Sequence, residues 1–183
     1  MLKTFWWVKV VKSGKSNLLL LYKCCRPYRM SYLTGEFNCK LDAKGRMMIP
    51  ADLKKQLPEA DNEGLVINRG LENYLVIYTK SEWDIKLGEL SKLNEYDRKS
   101  IKFVRYFTGG ATLLQPDAAG RVNLPKHLLD YAGITGEVVL TCLLNKVEVW
   151  DKKAHQEMIS NEPDNFADLA EEVMGNKGRG RDE

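Results

Sequence analysis

The sequence predicts an α+β fold, mostly β, made of two tandem copies of one small module joined by helices. Three observations predict it. First, an ungapped segment recurs: residues 42–53 read DAKGRMMIPADL and residues 117–128 read DAAGRVNLPKHL, identical at six of twelve positions, where unrelated segments share roughly one. Second, matching apolar runs follow each copy. Gly64-Leu-Val-Ile is answered by Gly136-Glu-Val-Val-Leu, and Leu75-Val-Ile-Tyr78-Thr-Lys by Val147-Glu-Val-Trp150-Asp-Lys. Third, the stretch between the copies changes from a period of two to a helical period.

The elements follow in order. Phe37, Cys39 and Leu41 alternate inward along a strand at Glu36–Leu41; its counterpart is Ala111–Gln115. Tight turns follow at Asp42–Gly45 and Asp117–Gly120. Second strands, Arg46–Ile49 and Arg121–Leu124, end at proline. Pro50 and Pro125 then open short helices, Pro50–Leu57 and Pro125–Ala132, at the first helical position, where a missing N–H costs nothing. Leu65–Arg69 with Leu75–Thr79, and Glu137–Leu143 with Val147–Trp150, close the two units. The modules thus occupy 36–83 and 112–155.

A helical connector covers 84–111. Ile85, Leu90 and Leu93, then Ile101, Val104 and Phe107, have helical spacing. They predict two helices within Ser81–Phe107, with Ser81-x-x-Asp84 and Asn94-x-x-Asp97 as their starts. In the C-terminal segment 156–183, a last helix is predicted over Asn165–Met174. Asn176–Glu183 reads as disordered.

Charge is unevenly spread. Residues 1–30 carry seven basic residues and no acidic one, so the remainder is net −4 although the whole chain is +3. Bulk charge therefore gives no argument for nucleic acid, and a local basic face is required. Residues 1–29 are a basic, aromatic leader without periodicity. They read as an extension from a start codon placed upstream of Met30-Ser31; the alternative is a basic arm touching DNA or membrane. No run reaches the roughly 18 apolar residues that span a bilayer. Four cysteines without a C-x-x-C pair and two histidines offer no zinc site and no disulfide framework. No metal and no cofactor is implied. His127 and His155 read as surface histidines, and no nucleophile has a base beside it, so an enzyme is not expected.

The D-x-x-G-R turn carries the candidate site. Asp42 and Asp117 can accept the turn's own backbone N–H groups. Gly45 and Gly120 supply positive φ. These four residues read as turn-forming. Arg46 and Arg121 can each pair back with the aspartate or point outward. Lys40 and Lys44 flank Arg46 as a basic cluster; Gln115 and Ala119 stand at their places in the second module. The first module is better suited to phosphate contacts, and Arg121 reads as structural.

The segment Asp42–Ala51, D-x-K-G-R-x-x-I-P-A, and its tandem partner resemble the MraZ family, of the AbrB/SpoVT-like group of swapped-hairpin proteins. The resemblance covers roughly 30–175. It implies that the two modules pack as an intrachain pseudo-dimer barrel. It implies a transcriptional regulator that binds double-stranded DNA at direct repeats in the promoter of the division and cell-wall gene cluster. It also implies a ring homo-oligomer located in the cytoplasm, at the nucleoid. No membrane and no small-molecule substrate is implied as a partner. The family's DNA-contacting arginine falls on Arg46, with Lys44 its motif neighbour; Arg121 matches by repeat symmetry only. A ring suits a weakly basic module, because linked sites exceed single-site affinity by roughly 10²–10⁴. A rival reading is a scaffold that exposes Tyr74, Tyr78, Trp83 and Trp150 for protein partners. The preferred reading places those aromatics in the core between modules.

Overall fold

A computed structural model describes residues 32–161 and 166–175. The expectations for the 1–29 leader and for the tail 176–183 lie outside the described residues. The first repeat supplies β1 (Glu36–Lys40), β2 (Arg46–Met48), α1 (Ala51–Gln56), α2 (Ala60–Glu63), β3 (Leu65–Arg69) and β4 (Leu75–Thr79). Next come α3 (Lys80–Leu90) and α4 (Arg98–Thr108). The second repeat supplies β5 (Thr112–Leu114), β6 (Arg121–Asn123), α5 (Lys126–Ala132), β7 (Glu137–Leu143) and β8 (Lys146–Asp151), followed by α6 (Lys152–Ser160) and α7 (Phe166–Gly175).

Side chains alternate across a strand, so each strand feeds two layers. Leu65 and Ile67 of β3, Leu75 and Ile77 of β4, Val138 and Leu140 of β7, and Val147 and Val149 of β8 enter one core. Met47, Val122, Leu53 and Leu128 from β2, β6, α1 and α5 cover it. The intervening residues Val66, Val76, Tyr78 and Trp150 face the other side, where Trp83 and Phe107 from α3 and α4 cover them. Tyr74 stacks on Trp150 with centroids 4.4 Å apart, and Trp83 on Phe107 at 5.7 Å. Tyr74, Tyr78, Trp83 and Trp150 are all buried. They therefore fill a core shared by both repeats, and the scaffold reading loses its exposed aromatics.

The strands cross between repeats. The main antiparallel sheet has the order β1-β7-β8-β4-β3-β5, and β2 and β6 form a separate two-stranded ribbon. β1 lies on β7, with Phe37 opposite Leu140. β4 lies on β8, with Ile77 opposite Val147, and β3 on β5, with Ile67 opposite Thr112. Each repeat is completed by the other. The expected barrel is corrected here. Because β2 and β6 pair with each other, no strand among the described residues joins β1 to β5, and the six-stranded sheet stays open.

Local chemistry shifts several boundaries. α3 is capped by Thr79, whose Oγ1 accepts the Glu82 N–H, so Ser81 lies inside the helix. α4 is capped by Asp97, which accepts the N–H groups of Lys99 and Ser100; Asn94 instead closes a turn on the Tyr96 N–H. Pro50 and Pro125 stand one place before their helices, and their carbonyls accept the first helical bonds from Lys54 and Leu129. α2 and α6 were not expected. His155, expected at the surface, is buried: α6 turns it onto Thr141, whose hydroxyl is 3.1 Å from Nε2.

Candidate functional site

The two D-x-x-G-R segments fold into one geometry. Asp42 Oδ1 accepts the backbone N–H of Lys44 at 2.9 Å and of Arg46 at 3.0 Å. Asp117 Oδ1 accepts those of Ala119 and Arg121, both at 2.9 Å. Gly45 and Gly120 take φ of +75° and +76°, a region that costs a side-chain-bearing residue about 1–2 kcal/mol. Their N–H groups donate back to the carbonyls of Asp42 and Asp117. With a glycine and an aspartate so placed, the turn closes on itself without help from the core.

The second carboxylate oxygen fixes the arginine. Arg46 donates Nε and Nη2 to Asp42 Oδ2, each at 2.7 Å, and Arg121 does the same to Asp117 Oδ2 at 2.8 Å. The backbone N–H of the arginine, and then its side chain, hold each aspartate's carboxyl below the usual range. Both alternatives left by the sequence are thus partly realised. Each arginine pairs back, yet 32% of the Arg46 side chain and 38% of the Arg121 side chain stay exposed. The Nη1 end of each guanidinium takes no partner among the described residues.

The ribbon brings the two turns together. Arg46 lies opposite Asn123, Met47 opposite Val122 and Met48 opposite Arg121. Met47 and Val122 point into the core, so period-two alternation puts Arg46, Met48, Arg121 and Asn123 on the opposite, outer face. Arg46 and Arg121 are diagonal neighbours there, roughly 7–8 Å apart along the backbone. The turns also lock each other: Leu124 N–H donates to the Gly45 carbonyl at 3.0 Å, and Ile49 N–H to the Gly120 carbonyl at 3.1 Å.

The remaining candidates separate. Lys44 is exposed two residues from Arg46, with no side-chain partner among the described residues. Lys40 instead reaches Glu137 at 2.9 Å, and Lys152 reaches the same carboxylate at 2.8 Å. Hydrogen bonds from Lys152 and Lys40 pull Glu137 down to about 2. The structure therefore joins Arg46 to Arg121, while the charge of Lys40 is met elsewhere. Sequence reasoning missed Met48 and Asn123 on this face, because alternation assigns a face but not a partner strand. Cys39 and Cys142 have thiols pushed up by burial, the reverse of an activated nucleophile.

The family model described as "MraZ protein, putative antitoxin-like" matches residues 32–105 and 107–177. The chain belongs to the MraZ family. Relatives named Transcriptional regulator MraZ support the same placement. That of Christiangramia forsetii is 43% identical over 148 residues, covering 80% of this chain and 96% of the relative. That of Flavobacterium psychrophilum is 41% identical over 148 residues, 80% and 94%. That of Cytophaga hutchinsonii is 33% identical over 145 residues, 79% and 96%. The MraZ match begins at residue 32, past the basic leader.

Proposed function

We propose that the chain is a transcriptional regulator that grips double-stranded DNA with the outer face of the β2–β6 ribbon. The observation that carries this reading is the pair Arg46 and Arg121, held side by side at the surface, each with one guanidinium end unpaired among the described residues. A major groove about 12 Å wide admits a two-stranded β-ribbon, and a free arginine end meets guanine or phosphate there. The aspartates fix each guanidinium before contact, so little side-chain freedom is lost on binding. Arg46 leads, with Lys44 adding charge; Arg121 supports it; Lys40 lies at the margin. The exchange of strands between repeats fits the swapped-hairpin pseudo-dimer of the AbrB/SpoVT-like group, with modules at 36–83 and 112–155.

Each arginine is half neutralised by its own aspartate, so one subunit binds weakly. Repeated subunits in a ring homo-oligomer, each facing one direct repeat, supply the missing affinity. The target is the promoter of the division and cell-wall gene cluster, and the working location is the cytoplasm, at the nucleoid. No helix among the described residues is long and apolar enough to cross a membrane. Footprinting and gel shifts on the DNA upstream of the chain's own gene test the reading. Arg46→Ala is expected to lose the shift that the unaltered protein gives. Equal binding by the variant removes Arg46 from the interface, and no binding by either protein removes DNA as the partner.

A further inference from the structure

A groove of about 380 Å³ opens on the face of the molecule that carries α3 and α4, with apolar walls from Leu71, Leu90, Phe103 and Tyr106. Phe103 and Tyr106 are exposed, although aromatic side chains normally dominate buried contacts. The rim is cationic. Arg98, Lys102 and Arg105 recur along one face of α4 and, with Arg69, line a depression that shares Arg69 and Tyr106 with the groove. Arg98, Lys102 and Arg105 form no ion pair among the described residues. Arg69 lies 5.5 Å from the Tyr131 ring centroid, and its buried Nε has no hydrogen-bond partner. The groove's carboxylate, Glu89, is already paired with Lys86.

The matching surface lies on the same chain. Phe166, Leu169, Ala170 and Val173 of α7 fall at i, i+3, i+4 and i+7, the spacing of one apolar stripe. Phe166, Leu169, Val173 and Met174 are exposed. At about 100° per residue, Glu172 lies at one edge of the stripe, about 60° beyond Leu169, while Glu171 falls on the opposite face. An apolar stripe with the Glu172 carboxylate at its edge is the complement of an apolar groove edged by ammonium and guanidinium groups. A helix lying in such a groove is a known mode of recognition.

We propose that α7 of a second copy of this chain docks in the groove, its stripe against Phe103 and Tyr106 and Glu172 against the α4 cations. This rests on the self-association in the preceding reading and not on its DNA contact. Among the described residues of one chain both surfaces are uncovered, and pairing them between copies covers both at once. Head-to-tail docking of this kind joins two different patches, so it propagates from copy to copy and closes only if the rotation allows.

The test uses the full chain. Sedimentation measures its assembly alongside Leu169→Asp/Val173→Asp, which alters only exposed positions. The double variant is expected to weaken association on the order of tenfold or more, as loss of anchor residues does. Glu172→Lys and Lys102→Glu/Arg105→Glu are each expected to weaken it, and their combination to restore it. A photocrosslinker at position 169, in mixed heavy- and light-isotope chains, is expected to join heavy to light at the Phe103–Tyr106 peptide. Crosslinks confined within one chain overturn the proposal, because they seat α7 in its own groove. Unchanged assembly of the Asp variant overturns the docking and leaves self-association standing. A wild type that stays monomeric overturns both, and the gel shift with Arg46→Ala then judges the DNA contact alone.

Discussion

The two turns differ by very little and only at the surface. Asp42 and Asp117 make the same set of bonds, to within about 0.1 Å, and Gly45 and Gly120 share one φ. Around them, Lys44 becomes Ala119 and Lys40 becomes Gln115. The turn and its arginine are therefore duplicated, while the flanking lysines are not. The difference teaches that the D-x-x-G-R spacing is first a way of building a turn. In the function proposed above, recognition is added by what stands beside it.

The largest expected effect tests the sameness of the scaffolds. Leu53 and Leu128 hold equivalent places on α1 and α5 and are both buried. Replacing either with alanine is expected to cost about 2–5 kcal/mol, read as a fall in the urea midpoint with unchanged slope. A marked inequality between them would show that one repeat carries the fold. Next comes the asymmetry in recognition. Arg46→Ala is expected to cost about 1–3 kcal/mol in DNA affinity, and Arg121→Ala less. Ala119→Lys should narrow that gap and Lys44→Ala should close it from the other side. Titration of one labelled duplex with all four variants reads this directly, and equal losses for the two arginines would erase the distinction.

Smaller still is the glycine term. Gly45→Ala and Gly120→Ala are each expected to lose about 1–2 kcal/mol. The strain is conformational, since a Cβ at Gly45 would meet Leu124 O and Leu129 Cδ1 at an ordinary 3.5 Å. Thermal melts of the two variants should superimpose. The least effect is the pH dependence. Asp42 and Asp117 titrate lower in the folded chain than in the unfolded one. Their contribution is therefore complete above the ordinary carboxylate range and fades as pH falls through the folded value. Asp42→Asn and Asp117→Asn should each flatten the acid limb of a stability–pH curve by a similar amount. A flattening by one alone would mark its turn as the better braced.

Much of this was legible in the residues. β3 was bounded correctly because Gly64 and Gly70 stand at its two ends, and the start of β7 and the end of β4 because Gly136 and Lys80 adjoin them. The turns were legible because an aspartate with a glycine three places on meets the bonding and φ demands together. α6 was missed because little more than Ala154 and His155 of that helix packs against the body, too thin a pattern to register. The sheet's openness was missed for a different reason. Alternation says which side chains face the core, but β2 choosing β6 depends on tertiary fit. That same choice put Arg121 beside Arg46, so the strongest feature of the site was the least readable.

The crossed bonds from Leu124 to Gly45 and from Ile49 to Gly120 have an evolutionary reading. In an assembly of two identical chains, any change to such a turn would be felt at both places at once. Here the two turns sit on one polypeptide, yet each is still finished by the other's strand. A codon change can therefore alter one side of the paired surface while its twin keeps the architecture intact, which leaves room for Lys44 and Ala119 to diverge.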